Sequence, residues 1–159
     1  MKALVISDSH RNIFDHQIEE IQKHGSYDIL IHCGDNYKDA QVFAEKLNIS
    51  TIYQVPGNCD FNYLGKELSI IKVIENKNVL ITHGHIYKVK EDIQRLKQFA
   101  KEKNIDAVIY GHTHKSQNEV IDNILFFNPG STIFPKDGLA SFGILEFKNN
   151  KIISTIKTL

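Results

Sequence analysis

Side chains that commonly bind metal ions occur in five short clusters along this sequence. The clusters are Asp8-Ser9-His10, Gly34-Asp35, Gly57-Asn58-Cys59-Asp60, His83-Gly84-His85 and Gly111-His112-Thr113-His114. Together they offer enough carboxylate, amide and imidazole donors for a pair of metal ions. Two metal ions about 3.5–4 Å apart are typical of enzymes that hydrolyse phosphoesters. We therefore expect a two-metal hydrolytic site.

The donor types restrict the metal. Because no cysteine thiolate is needed among the ligands, Mn²⁺, Fe, Zn²⁺ or a similar borderline ion suits the site. One carboxylate must bridge two cations that would otherwise repel each other, and Asp35 in the middle cluster is the natural bridge. The two cysteines, Cys33 and Cys59, are too few for a disulfide framework, so both are expected to be reduced.

Each cluster directly follows an apolar run that predicts a β-strand, at residues 2–7, 28–32, 51–55, 79–82 and 106–110. These runs lack polar alternation, which indicates strands that are buried on both faces of a sheet. Open α/β sheets bind ligands at the carboxyl ends of their strands, so the clusters should converge there. Asp8 and His10 alternate across one residue, as do His112 and His114, and an extended backbone would place each pair on one side.

The segments between these strands have helical spacing. Their apolar positions are Ile13, Phe14, Ile18 and Ile21, then Val42, Phe43 and Leu47, then Ile93, Leu96, Phe99 and Ala100. Asn-rich turns at residues 75–78, 122–123 and 148–150 separate further apolar runs and predict hairpins. Alternating strands and helices followed by hairpins predict an α/β chain with an added antiparallel part. Two sheets packed face to face, with helices outside, would use both patterns.

Length and composition indicate an ordinary globular protein of one domain, spanning residues 1–159, with 42% hydrophobic and 24% charged residues. The 19 basic and 19 acidic residues balance, which argues against a dedicated nucleic-acid-binding surface. No apolar stretch reaches the roughly 18 residues that a membrane span needs. The first strand runs straight into the first cluster and leaves no room for a signal peptide, so a cytoplasmic location is expected.

The ordered motifs D-x-H, G-D, G-N, H and G-H-x-H resemble those of the calcineurin-like metallophosphoesterases. The length, the variant Gly57-Asn58-Cys59-Asp60 and the stretch Asn128-Pro129-Gly130-Ser131 look like the small prokaryotic phosphodiesterase group, which is YfcE-like. The resemblance covers essentially the whole chain. It implies a four-layer α/β/β/α sandwich of two mixed sheets with helices outside.

The resemblance also implies two ligand sets, two divalent metal ions per chain and a mechanism. One metal would take Asp8, His10, Asp35 and His114, and the other would take Asp35, Asn58, His83 and His112. Mn²⁺ is favoured, with Ni²⁺, Fe, Zn²⁺ and Mg²⁺ as alternatives. A metal-bridging hydroxide would attack the phosphorus of a small phosphodiester, while the metals and Asn58 stabilise the equatorial charge. Asp35 and Asn58 are therefore the expected catalytic residues.

Substrate contacts are expected from Arg11, Asn58, Cys59 and His85, and from loops at residues 11–15, 61–65 and 86–90. Many relatives carry a histidine that assists leaving-group protonation at the position of Cys59. A thiol replaces it poorly, so we expect a preference for good leaving groups unless Asp60 or a metal-bound water donates the proton. For Arg11 a surface salt bridge is about as plausible as a phosphate contact.

Two other functions have to be weighed. The same fold serves as a protein-interaction scaffold in the Vps29 subunit of retromer, where the metal site is degraded. The full ligand set of this chain favours an enzyme. A phosphomonoesterase is a nearer alternative, although such relatives generally add groups that grip a dianionic phosphate. Relatives are often dimers, which keeps a homo-oligomer open.

Overall fold

Ten strands and three α-helices form the part of the chain that the computed structural model describes, residues 1–61 and 65–159. The helices are α1 (Asp15–Gln22), α2 (Asp39–Leu47) and α3 (Gln94–Glu102), and a short 3₁₀ helix spans His85–Tyr87. The strands are β1 (Lys2–Ile6), β2 (Ile29–His32), β3 (Thr51–Gln54), β4 (Ser69–Ile74), β5 (Lys77–Thr82), β6 (Ala107–Ile109), β7 (Ser116–Ile121), β8 (Ile124–Pro129), β9 (Ser141–Lys148) and β10 (Lys151–Thr158). In these residues no helix is long and apolar enough to cross a membrane.

The strands form two mixed five-stranded sheets. The first has the order β10-β9-β1-β2-β3, in which β1, β2 and β3 are parallel and β9 pairs antiparallel with both neighbours. The second has the order β4-β5-β6-β8-β7, in which β5, β6 and β8 are parallel while β4 and β7 form antiparallel edges. The parallel strands at the centre of each sheet point their carboxyl ends the same way within that sheet.

Three apolar clusters separate four layers. Alternate residues of β1 enter different clusters: Val5 packs between the two sheets, whereas Leu4 packs beneath α1 and α2. On the far side, Leu80 of β5 packs with Leu96 of α3. Each fully buried aliphatic side chain contributes roughly 1.5–3 kcal/mol. The order is therefore helices, sheet, sheet, helix, and the predicted four-layer sandwich is confirmed.

The three predicted hairpins are confirmed, and each turns on two residues with positive φ. These pairs are Glu75 and Asn76 (47° and 62°), Asp122 and Asn123 (52° and 64°), and Asn149 and Asn150 (53° and 58°). Two-residue turns of this type need positive φ at both positions, which Asn and Asp tolerate better than other non-glycine residues. The first turn is shorter than predicted, because residues 77 and 78 already pair within β5.

Some expectations about burial are wrong. The strand β3 lies at the edge of its sheet and is half-buried along its length, so it does not bury both faces. Helix α1 begins at Asp15, which leaves Ile13 and Phe14 in the preceding loop. In α2 the side chain of Val42 is 37% exposed, because a short helix covers the sheet with one side only.

Candidate metal centre

The five predicted clusters meet where strands of both sheets end. Strands β1, β2 and β3 lead into the clusters of Asp8, Asp35 and Asn58, whereas β5 and β6 lead into those of His83 and His112. Backbone hydrogen bonds join successive loops: the Asp8 N–H donates to Gly34 O at 3.0 Å, and the Gly111 N–H donates to His83 O at 3.2 Å. The predicted convergence of the clusters is therefore confirmed.

The backbone that carries these side chains is not extended. Positive φ values occur at Asp8 (54°), His10 (46°), Asp35 (51°), His112 (70°) and His114 (59°). The expectation that extended chain aligns Asp8 with His10, and His112 with His114, is therefore wrong. Such conformations cost on the order of 1–3 kcal/mol each and persist only where surrounding contacts impose them. Five of them around one centre are typical of a functional site.

The first group comprises Asp8, His10, Asp35 and His114. One potential ligand atom from each of these residues lies within 4.8 Å of the other three. Asp8 Oδ1 is fully buried and accepts no hydrogen bond from the described residues, although it lies 3.2 Å from His114 Nε2. A buried carboxylate oxygen without a donor is costly unless a cation or a proton lies beside it. These residues fit a divalent cation.

Hydrogen bonds to the backbone set the tautomers of two histidines. His114 Nδ1–H donates to Phe134 O at 2.8 Å, and His83 Nδ1–H donates to Cys33 O at 2.7 Å. In the neutral ring the remaining nitrogen, Nε2, then presents its lone pair to the centre. Such an orienting hydrogen bond is the usual second partner of a histidine that binds a metal.

The second group comprises Asp35, Asn58, His83 and His112. His83 Nε2 lies 3.1 Å from both Asn58 Oδ1 and His112 Nδ1, and 3.5 Å from Asp35 Oδ2. The oxygen and nitrogen donors of this group therefore gather around His83 Nε2, next to the first group. This set is the one that the resemblance implies for the second metal.

Asp35 stands between the two groups. Its Oδ1 accepts a hydrogen bond from the Cys59 N–H at 2.9 Å, which fixes the orientation of the carboxylate. Its Oδ2 then lies 3.7 Å from His10 Nε2 and 3.5 Å from His83 Nε2. One oxygen thus faces both ligand sets, which is the arrangement that a bridging carboxylate requires.

The charges of the centre support one another. Burial raises the pKa of Asp8, but the neighbouring His114 and the charge of His83 outweigh burial and lower that pKa below its ordinary value. Burial lowers the pKa of His83, but Asp35 and Asp8 outweigh it and raise the pKa overall. Burial and the charge of His83 lower the pKa of His112 to about 4, so that ring is neutral at pH 7. Ionised Asp8 and neutral His112 are in the forms that bind metals, whereas a bound cation would take the place of the proton that these carboxylates favour on His83.

Two glycines allow the loops to approach each other. A Cβ on Gly57 would collide with the carboxylate of Asp35, and a Cβ on Gly111 would collide with Ser7 Oγ and lie 2.8 Å from Asp8 Oδ2. Only a residue without a side chain fits at either position. The glycine that precedes a ligand in these motifs is therefore a packing requirement.

Polar side chains outside the two predicted ligand sets hold the loops. Asp60 accepts backbone hydrogen bonds from Gly57 (2.8 Å), Tyr37 (2.8 Å) and Asp35 (3.2 Å). Because both of its oxygens serve as acceptors, Asp60 supports the loop, which argues against its expected alternative role as proton donor. The only sequence signal was its place two residues after Asn58.

A second support involves Asp39, Ser9 and His32. Asp39 Oδ2 accepts hydrogen bonds from the Ser9 hydroxyl at 2.7 Å and from the Arg11 N–H at 2.9 Å. Ser9 Oγ also lies 3.1 Å from His32 Nε2, while His32 Nδ1 accepts from the Gly34 N–H at 3.2 Å. These contacts give His32 a supporting role behind the ligand loops. No motif singled out Asp39.

The stretch Asn128-Pro129-Gly130-Ser131, noted only as part of the resemblance, also supports the site. Ser131 Oγ donates to Asp8 O at 2.7 Å. Asn128 Nδ2 donates to Gly111 O and to Thr113 Oγ1, both at 3.0 Å. The end of β8 and the residues after it therefore hold both the loop of Asp8 and the loop of His112 and His114.

The predicted substrate-contacting residues lie around the centre with different exposure. His85 is half-buried, with its ring 5.4 Å from that of His83, and burial lowers its pKa. Cys59 is exposed, and burial of its thiol together with the charge of Asp35 raises its pKa to about 11, so the thiol is neutral at pH 7. Arg11 is exposed, and its guanidinium forms no ion pair with the described residues.

A cavity of about 460 Å³ opens beside Asn58 and His85. Its other lining residues are Pro56, Gly57, Asp60, Phe61, Gly65, Lys66 and Leu68. Of the three loops expected to contact substrate, the one at residues 61–65 therefore lines this cavity through its ends, while residues 62–64 lie outside the described part. The loops at 11–15 and 86–90 do not line it.

Comparison with known proteins identifies the family. The model of the calcineurin-like phosphoesterase superfamily domain matches residues 1–150, so the chain belongs to this superfamily. It is 31% identical over 153 residues to the probable metallophosphoesterase YsnB of Bacillus subtilis, covering 94% of this chain and 86% of the relative. It is 32% identical over 149 residues to the phosphodiesterase YfcE of Escherichia coli, covering 86% of this chain and 72% of the relative. The resemblance inferred from the motifs is confirmed.

A more distant neighbour shares the fold. The zinc-complexed Vps29 of Entamoeba histolytica superposes with a TM-score of 0.77 at 21% identity, covering 99% of both chains. At this identity the likeness concerns the fold alone. Membership of the superfamily, together with the grouped Asp and His side chains, makes this chain a metallophosphoesterase-type hydrolase.

Proposed function

We propose that the protein is a phosphodiesterase that works with two divalent metal ions and hydrolyses small phosphodiesters. The observation that carries the proposal is Asp35 Oδ2, which lies 3.7 Å from a histidine of one ligand group and 3.5 Å from a histidine of the other. The name of the relative YfcE, a phosphodiesterase at 32% identity, supports the diester class.

The two ligand sets would hold the cations as follows. Asp8, His10 and His114 belong to the first position, Asn58, His83 and His112 to the second, and Asp35 to both. When bound, two such ions lower the pKa of a bridging water and neutralise charge on the phosphoryl group. Mn²⁺ suits the mixture of carboxylate, amide and imidazole donors, with Ni²⁺, Fe, Zn²⁺ and Mg²⁺ as alternatives.

The residues of the chain orient the substrate. Asn58 is exposed beside the second ligand group, so its amide Nδ2 can donate to a phosphoryl oxygen that gains charge in the transition state. His85 lines the cavity beside Asn58, where one ester group of the substrate would lie, and Cys59 Sγ lies 3.5 Å from Asn58 Nδ2. Arg11 lies free at the surface after the first ligand loop and can pair with a phosphate.

Leaving-group protonation has no dedicated acid among these residues. The Cys59 thiol has a pKa raised to about 11, and both Asp60 oxygens accept backbone hydrogen bonds. An enzyme of this kind favours leaving groups that depart as stable anions, such as aryl oxides. The substrate preference expected from the sequence therefore remains part of the proposal.

The test is hydrolysis of bis(p-nitrophenyl) phosphate with added Mn²⁺. We expect turnover in the wild type and its loss, by at least about a hundredfold, in Asp35→Asn, because that oxygen would have to neutralise both cations at once. The matched control is Asp122→Asn. Asp122 lies in the turn between β7 and β8 at a φ of 52°, which Asn also adopts, and its ion pairs with the described residues are those to Lys97 and Lys101.

The outcomes separate the functions. If the protein binds two Mn²⁺ ions but shows no turnover that depends on Asp35, a scaffold like Vps29 would be favoured. Faster turnover of p-nitrophenyl phosphate than of the diester would favour a phosphomonoesterase. A single Mn²⁺ per chain would contradict the dinuclear part of the proposal.

Residues 1–159 would act as one catalytic domain, as the sequence predicts. A cytoplasmic location also stays a prediction from the sequence. A homo-oligomer stays open.

A further inference from the structure

An exposed aromatic side chain lies next to the first ligand group. Phe134 is 53% exposed, and its ring centroid lies 5.6 Å from that of His10 at an interplanar angle of 58°. Single exposed apolar residues are common on protein surfaces and need no explanation by themselves. Phe134 differs from such residues because hydrogen bonds connect its backbone to the metal centre.

Both backbone groups of Phe134 are bound to the metal centre or its support. Its N–H donates to Ser131 Oγ at 2.9 Å, and the same hydroxyl donates to Asp8 O at 2.7 Å. Its carbonyl accepts the Nδ1–H of His114 at 2.8 Å. The position of the Phe134 ring is therefore tied to two residues of the first ligand group, although the ring itself remains exposed.

The Phe134 ring lies one imidazole away from the metal centre. The imidazole of His10 has its Nε2 at the centre, 3.4 Å from His114 Nε2, and its ring centroid lies 5.6 Å from that of Phe134. An aryl group joined to a phosphoryl oxygen at the centre is of similar length. Stacking on an aromatic side chain contributes about 1–3 kcal/mol for a planar group.

We propose that Phe134 is a specificity-determining residue that binds a planar aromatic ester group of the substrate, an inference that rests on the proposed phosphodiesterase function. The substrate class is then an aryl phosphodiester, with one aromatic group on Phe134. This agrees with the absence of a dedicated leaving-group acid, because aryl oxides leave without one. The alternative is that Phe134 only shields His10 from water.

Binding of two diesters to the Mn²⁺-loaded protein tests the proposal, with the heat of binding separated from any steady heat of hydrolysis. Diphenyl phosphate and dimethyl phosphate carry the same charge and differ in their aromatic groups. Isothermal titration calorimetry measures both dissociation constants for the wild type, Phe134→Ala and Phe134→Leu. Val120→Ala is the control, since Val120 is 69% exposed and pairs with Leu125 at the level of the start of β6, away from the ligand loops.

We expect the wild type to bind diphenyl phosphate more tightly than dimethyl phosphate. Phe134→Ala should weaken diphenyl phosphate by about 5- to 150-fold and leave dimethyl phosphate within twofold of the wild type, following the energy of one stacked ring. Phe134→Leu keeps an apolar cover on His10 but has no planar face, so it should lose most of the same preference. Val120→Ala should change neither constant.

Several results would overturn the proposal. Equal weakening of both diesters, or a loss of Mn²⁺ affinity in Phe134→Ala that Phe134→Leu restores, would assign Phe134 to shielding His10. A wild type that binds both diesters alike would also contradict it. Aryl-selective binding through Phe134 without any turnover would refute the proposed enzyme but keep Phe134 as the residue that binds an aromatic group. Turnover that is unaffected by substitution of Phe134 would support the enzyme and refute the role of Phe134.

Discussion

Replacing Ser131 with alanine should destabilise the fold and the metal centre together. The Ser131 hydroxyl donates to Asp8 O at 2.7 Å and accepts from the backbone N–H groups of Ile133 at 3.2 Å and Phe134 at 2.9 Å. Alanine removes all three hydrogen bonds and leaves the backbone groups in place. Ser131 itself is 0% exposed, so water enters only with rearrangement.

The three lost hydrogen bonds are unequal. Asp8 is 0% exposed, and a buried carbonyl that loses its donor costs about 1–3 kcal/mol. Ile133 is half-buried and Phe134 exposed, so water can replace their acceptor, and each should cost about 0.5 kcal/mol. The sum is about 2–4 kcal/mol in the free energy of unfolding. For a chain of this size that lowers the Tm of the metal-free protein by roughly 4–16 °C.

The matched control is Ser141→Ala. Ser141 is 4% exposed, and its hydroxyl donates one hydrogen bond, to Pro129 O at 2.7 Å. We expect a loss of about 1 kcal/mol there. Urea unfolding of both variants in the presence of a chelator gives the two free energies, and calorimetric titration with Mn²⁺ gives the affinities. Only Ser131→Ala should bind Mn²⁺ more weakly, because only that variant frees the Asp8 loop.

The reasoning fails if Ser141→Ala costs as much as Ser131→Ala. It also fails if Ser131→Ala unfolds at the expected lower free energy but binds Mn²⁺ as the wild type does. In the first case the number of hydrogen bonds at Ser131 would not determine the cost. In the second case, contacts other than the Ser131 hydrogen bond would hold Asp8 in place.

Three further changes test other parts of the structure. Gly111→Ala places a Cβ against Ser7 Oγ and 2.8 Å from Asp8 Oδ2, so the loop that carries Asp8 must shift. Calorimetry should show Mn²⁺ affinity reduced by about 10- to 100-fold, and an unchanged affinity would refute the close approach. Burial lowers the pKa of His32 from 6.5 to about 4, so below pH 6.5 the unfolded state binds the extra proton. The free energy of unfolding of the metal-free protein should therefore fall by about 3 kcal/mol as the pH drops from 6.5 to 4, and His32→Gln should flatten this slope. Phe43→Ala, at a 0% exposed position, should cost about 3–5 kcal/mol in urea unfolding. Val73→Ala, at a 70% exposed position, should cost less than about 0.5 kcal/mol, and similar losses would contradict the assigned core.

Local pattern was sufficient for much of the fold. Runs such as Ile29–His32 bury both faces and are apolar up to His32, so their sequence identifies a central strand. Pairs such as Asn149 and Asn150 accept positive φ, so they mark a hairpin without knowledge of its neighbours. The edge position of β3 was not predictable, because it depends on which strand pairs beside it.

By itself the sequence determined the types, order and strand attachment of the candidate ligands, because these depend on residues adjacent in the chain. Only the tertiary structure decided how the ligands face one another. The left-handed backbone at Asp8 and the tautomer of His114 follow from contacts with Gly34 and Phe134, which are distant in sequence. The placement of one Asp35 oxygen between the two ligand groups likewise depends on the Cys59 N–H that holds the other. Strand pairing and loop packing create these relations, and no local pattern encodes them.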